Sequence, residues 1–118
     1  MTQGTHDFTP DPRNDAILIN VNEALLPRAQ ASVSVFDSGF MLGDGVWEGI
    51  RVHAGRMAFL DQHLDRLWEG AKAIAMEVGI SKAELEARLY ATIDANAMAL
   101  APSHSRSRCW SRKAIRPR

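Results

Sequence analysis

The hydrophobic pattern of the chain changes period once, at Asp61. Before that point apolar residues come in short runs or alternate with polar ones, the period of a strand. After it they recur every third and fourth residue, the period of a helix. The segment AILINVNEALL (16–26) reads as a short hairpin with Asn22-Glu23 near its turn, and ASVSVF (31–36) alternates as a strand. A loop carrying Gly39, Gly43 and Gly45 follows. VWEGIRV (46–52) then alternates again, Ala54-Gly55 makes a tight turn, and RMAFL (56–60) returns. The expected arrangement is a meander of antiparallel strands.

Beyond Asp61 the positions Leu64, Leu67, Trp68, Ala71, Ile74 and Ala75 form one stripe of an amphipathic helix, with Asp61 as its N-cap and Gly79 as its stop. Ser81-Lys82-Ala83-Glu84 is a capping box, and Leu85, Leu89 and Ile93 line one face of a second helix that fades near Ala97. Strands first and helices second give an α+β fold, a small antiparallel meander followed by two helices packed on one sheet face.

Charge divides the chain where the periodicity stops. The net charge is zero over 118 residues, but residues 1–100 hold all 14 acids beside 8 bases, a net of −6. The six basic residues of 101–118 stand without an acid, a net of +6. The expected organisation is a disordered arm over 1–14, one domain over 15–99 and a basic tail over 100–118 that is disordered or translated out of frame. The polar first twelve residues do not resemble a secretory leader, no apolar run is long enough for a membrane span, and the lone Cys109 cannot form an internal disulfide; a cytoplasmic location is expected.

Candidate chemistry gathers around the strand 46–52. Val46, Glu48, Ile50 and Val52 fall on one face; Trp47, Gly49 and Arg51 fall on the other. An aromatic, a glycine and an arginine together suit a pocket wall, although a half-exposed strand with Arg51 in solvent has the same pattern. The glycine loop leads into a strand and lacks Gly-Lys-Ser/Thr, so it is a poor phosphate loop. Arg66, at the edge of the helical stripe, has a planar fork suited to a phosphate or carboxylate; its alternative is a surface ion pair with Asp65 or Glu69. His63 has no second ligand at helical spacing and does not argue for a metal.

At their mutual spacing, GDGVWEGIR (43–51), AGRM (54–57) and HLDRL (63–67) resemble the N-terminal domain of the class IV, fold-type IV pyridoxal-phosphate aminotransferases, which include D-amino acid and branched-chain enzymes. The resemblance runs from about Ile17 to Ala99 and implies transfer of an amino group between an amino acid or amine and a 2-oxo acid, with pyridoxal 5′-phosphate as cofactor and a homodimeric enzyme. It implies that Arg66 grips the cofactor phosphate, that Trp47 lines the substrate pocket with the small residue Gly49 beside it, and that Arg51 is a basic residue of the same strand. Leu42 stands where the branched-chain pattern has a tyrosine. The family's cofactor-bearing lysine belongs to a larger C-terminal domain; Lys113 lies too early and in no motif, so the resemblance implies an N-terminal part inactive by itself. An aminodeoxychorismate lyase shares the same elements. A binding module using the basic tail on nucleic acid or an acidic partner is the third possibility.

The tail has a second reading in the genetic code. Taken from the third base of each codon, residues 108–114 can encode Leu-Leu-Val-Thr-Lys-Gly, an apolar run ending at a turn glycine, which resembles the Val-Thr-Arg-Gly that commonly closes the family's next strand.

Overall fold

The computed structural model describes residues 11–98 and the backbone of residues 108–112. Asn22 and Glu23 take φ of 49° and 76°, both positive as in a type I′ turn, and fold the first segment back on itself. Strand β1 (Leu18–Val21) therefore pairs antiparallel with β2 (Ala24–Pro27), with Val21 opposite Ala24 and Leu18 opposite Pro27.

Residues 31–36 are not a strand, a correction to their alternating pattern. Ser34 turns the backbone instead: its Oγ accepts from Phe36 N–H at 3.1 Å and its carbonyl from Asp37 N–H at 3.0 Å. Such local serine and aspartate bonds offer the backbone an alternative to a ladder. Asp37 then caps helix α1 (Ser38–Met41), its Oδ1 accepting from Gly39 N–H at 2.8 Å. Gly43 leaves this turn at φ of 75°, a conformation side chains rarely adopt, and directs the chain into the next strand.

That strand, β3 (Trp47–His53), is central to a three-stranded antiparallel sheet. Its turn at Ala54 and Gly55, again with two positive φ values, leads to β4 (Arg56–Met57) on one edge. The backbone of β5 (Arg108–Arg112) occupies the other edge, with Trp47 opposite Arg112 and Arg51 opposite Arg108. One strand thus forms inside the stretch read as a structureless tail. The rest of that tail, and residues 1–10 of the arm, lie outside the described residues; Pro12–Asn14 make a single 3₁₀ turn.

Helix α2 (Leu60–Ala73) begins one residue before the expected cap. Phe59, at φ of 53°, is its N-cap residue without a side-chain bond, and Asp61 lies in the first turn, where a negative charge favours the helix dipole. The helix stops well before Gly79 because Ala75 turns left-handed at φ of 53°. Ile74 and Ala75 consequently leave the stripe and are exposed. Helix α3 (Lys82–Ala95) starts as the capping box demands, Ser81 Oγ accepting from Glu84 N–H at 3.1 Å, and buries Leu85, Leu89 and Ile93.

Both helices close over the sheet, and the α+β architecture has one core: Ile50, Val52, Met57, Leu60, Leu64, Leu85, Leu89 and Ile93. Burying each such side chain contributes roughly 1.5–3 kcal/mol. At Gly70 α2 packs against Val46: a Cβ there would meet Val46 Cγ1 at 3.3 Å. The β1–β2 hairpin is held to α3 by polar groups. The Asn96 amide pairs with Leu18 as a strand would, Oδ1 accepting from its N–H at 2.7 Å and Nδ2 donating to its carbonyl at 2.9 Å. Arg88 bridges Glu23 of the hairpin turn and Glu84 of α3.

Candidate functional site

The alternation of β3 sets two surfaces back to back. Ile50 and Val52 enter the core, and Glu48, two residues earlier on that face, lies at the core's rim with its side chain 15% exposed. A carboxylate there loses water on one side and requires hydrogen-bond partners. Helix α2 supplies them from His63 and Arg66, three residues apart and hence neighbours on its surface.

The three side chains form one cluster. Arg66 takes Glu48 in a fork, Nε donating to Oε1 at 3.1 Å and Nη2 to Oε2 at 2.5 Å. His63 Nδ1 is 2.6 Å from the same Oε2. A carboxylate oxygen only accepts, so Nδ1 carries a proton and donates. The 3.1 Å approach of Arg66 Nη2 to Nδ1 is then two donors converging on one oxygen. The Arg66 guanidinium holds the Glu48 carboxyl below its ordinary value of 4.5, against an opposing push from partial burial and with His63 helping; in return Glu48 raises Arg66. Beneath the cluster, Glu48 shares a small apolar cleft with Ile50, Met57, Leu64, Leu67, Leu85 and Leu89. Its ≈ 20 Å³ of space for water centres is room for little more than a single water.

Arg66 itself is 64% exposed. A guanidinium has five N–H groups, and the fork uses one on Nε and one on Nη2. Among the described residues Nη1 makes no hydrogen bond, so a second edge of the same group, Nη1 with the remaining Nη2 hydrogen, faces outward. Such an edge matches the spacing of two oxygens of a phosphate or carboxylate.

On the opposite face of β3 stand Trp47, Gly49 and Arg51. Trp47 is 65% exposed and leans over Gly49, where a Cβ would meet its Cζ3 at 3.8 Å. Arg51 is exposed. The site residues singled out from sequence are therefore not one cluster: Arg66 works with the Glu48 face, and Trp47, Gly49 and Arg51 share the other. The surface ion pair considered for Arg66 is also different from the expected ones. Its partner is Glu48, across on the strand, while Asp65 pairs with Lys82, whose Nζ is 5.8 Å from the Trp68 ring centre.

Glu48 does not stand out in the sequence because its phase puts it on the core face of β3. The available signal was the conflict itself: a carboxylate in phase with Ile50 and Val52 needs cationic or N–H partners, and HLDRL presents both at adjacent positions of one helix face. Among the described residues no group of three or more His, Cys, Asp or Glu side chains is arranged to hold a metal ion. Among them, too, no helix is long and apolar enough to cross a membrane.

The family described as amino-transferase class IV matches residues 45–115, more than half of the chain, including β3, α2, α3 and β5. Individual proteins are similar as well. Over 89 residues the chain is 42% identical to branched-chain-amino-acid aminotransferase-like protein 1 of Arabidopsis thaliana, covering 75% of this chain and 16% of that protein. Over 75 residues it is 37% identical to the D-alanine aminotransferase of Bacillus licheniformis, covering 64% of this chain and 26% of that one. Over 67 residues it is 40% identical to a putative branched-chain-amino-acid aminotransferase of Methanocaldococcus jannaschii, covering 57% and 23%. The chain thus spans between about one sixth and one quarter of the length of these relatives.

Proposed function

The chain belongs to the class IV amino-transferase family, and on that premise we propose that it is the N-terminal part of a pyridoxal-phosphate-dependent aminotransferase that moves an amino group between an amino acid or amine and a 2-oxo acid. The observation carrying the proposal is Arg66: it stands on α2, inside the matched residues, and its second guanidinium edge is turned outward. That donor set fits the phosphate end of the cofactor, since two N–H groups of one planar fork meet two phosphate oxygens. Among the described residues nothing near it fits the carbonyl end. Of the two described lysines, Lys82 is engaged by Asp65, and Lys72 lies six residues along α2, roughly 9 Å from the Arg66 turn.

The cofactor, when bound, supplies the electron sink of the reaction. The work of this chain is to bind and orient: Arg66 would hold phosphate, and Trp47 with Gly49 would form an apolar wall for the substrate side chain, with Arg51 offering a cation to its carboxylate. Because none of these groups accepts or releases a proton at the reacting carbon, the chain by itself is expected to be inactive, and the complete enzyme is expected to be a cytoplasmic homodimer. The names of the relatives favour amino acid donors over the lyase reaction, in which no amino group is transferred.

The test is a chimera in which the region beyond residue 98 is replaced by the corresponding remainder of the Bacillus D-alanine aminotransferase. Transamination of D-alanine or a branched-chain amino acid by the chimera, abolished by Arg66→Gln, is the expected result; a folded, cofactor-binding chimera that transfers no amino group would sink the proposal. The chain alone, mixed with pyridoxal 5′-phosphate and reduced with borohydride, should show no stoichiometric label on any lysine.

A further inference from the structure

Glu48 has a role that the grip of Arg66 on phosphate does not by itself supply. Arg66 reaches outward on a long side chain and is 64% exposed, so nothing but its polar partners fixes where the guanidinium points. Those partners come from one residue on the neighbouring strand. Glu48 binds the Nε–Nη2 edge with both oxygens, and His63 Nδ1–H, from the same helix as Arg66, holds Oε2 from the other side. Strand and helix thus fix the plane of the guanidinium between them. A plane fixed on its Nε–Nη2 edge can only present the Nη1–Nη2 edge to an incoming anion.

We propose that Glu48 is a positioning residue, assisted by His63, that orders the Arg66 guanidinium so that its Nη1–Nη2 edge receives a phosphate group. The proposal rests on Arg66 being the phosphate ligand. It is opposed by elementary electrostatics, and the opposition makes it testable. A carboxylate beside a cation weakens the attraction of that cation for a second anion. If Glu48 only neutralises Arg66, removing its charge tightens phosphate binding. If it positions Arg66, removing it weakens binding, because the anion must then immobilise a long flexible side chain.

Inorganic phosphate is titrated into the whole chain uniformly labelled with nitrogen-15, and the Arg66 Nε–H resonance and the neighbouring backbone amides are followed. In the parent chain that resonance is expected to be protected from water exchange and to shift saturably with phosphate. In Glu48→Gln the protection is expected to be lost and the apparent Kd to rise about threefold or more, the cost of ordering a free side chain. Glu48→Asp keeps the charge but draws the carboxylate back by one methylene, and is expected to weaken binding too; an effect of charge alone would leave it unchanged. Arg66→Gln should abolish the shift of the neighbouring amides. Tighter or equal binding in Glu48→Gln, with Arg66→Gln still abolishing the shift, overturns the positioning role and leaves the phosphate ligand standing. An unchanged titration in Arg66→Gln, or no saturable shift in the parent, overturns both. Should Glu48→Gln fail to fold, Glu48→Asp and His63→Gln decide on the same two readouts.

Discussion

Glu48 shares a strand face with Ile50 and Val52, and its charge is tolerated there because three N–H donors, from His63 and Arg66, meet it from α2. The same contacts make the fold sensitive to acid. The folded-state pKa of Glu48 lies below 4.5, chiefly through its bond with Arg66, so the folded chain binds this proton less readily than the unfolded one. Its contribution to stability is complete above about pH 4.5 and is lost as pH falls through the folded value. Urea midpoints measured at pH 6 and pH 3 should therefore fall with acid in the parent chain and fall less in Glu48→Gln; equal losses would show that other carboxylates dominate. One residue along from His63, Leu64 is 3% exposed at the centre of the core. Leu64→Ala removes three buried carbons and leaves a void, and should cost about 2–5 kcal/mol in the same urea experiment.

Helix α3 shows what the sequence makes legible at the level of an element, and residues 31–42 show what it does not. The capping box and the spacing of Leu85, Leu89 and Ile93 are local signals that agree, and the helix forms as they require. Ser81→Ala should cost about 1 kcal/mol by removing the acceptor for Glu84 N–H. The ends of α2 are not legible in the sequence, because left-handed residues at Phe59 and Ala75 set them and neither has a compositional marker. Alternation at 31–36 promised a strand, yet a half-apolar strand and an apolar loop are written alike, and Ser34 decided for the loop. The same ambiguity hid the pairing of Glu48, since period two says which face a residue is on and nothing of what meets it there. The loop and α1 carry Val33, Val35, Phe36, Phe40, Met41 and Leu42 exposed, with Phe36 at 82%. Exposed apolar side chains in such number favour association. The chain should bind an apolar-surface dye and self-associate on concentration, and Phe36→Ser should reduce both while leaving stability within about 0.5 kcal/mol, as for other exposed sites. A dye-silent monomer at high concentration would refute this.

Over the whole molecule, the composition breaks near Leu100, yet a described strand lies beyond the break. β3 has two edges; β4 takes one, and the backbone of residues 108–112 takes the other along Trp47–Arg51. The family match likewise runs on to residue 115. A strand therefore belongs at this point of the chain, but the residues written there are Arg-Cys-Trp-Ser-Arg. The backbone register sets Arg108 opposite Arg51. The shifted frame can encode Leu-Leu-Val-Thr-Lys-Gly over the same codons, an apolar run that closes on a turn residue. We propose that the +6 segment is the out-of-frame reading of a β-strand, and that the shifted frame continues into a domain carrying the cofactor lysine. A chance overlap would be expected to meet a stop codon early, since Ser111 and Arg112 each admit one at this junction. Nucleotide sequencing of the gene from codon 95 onward decides between the two: an open shifted frame with a downstream lysine-bearing domain is the expected result, and a stop soon after codon 114, or an open frame without such a domain, would establish the basic segment as the protein's own.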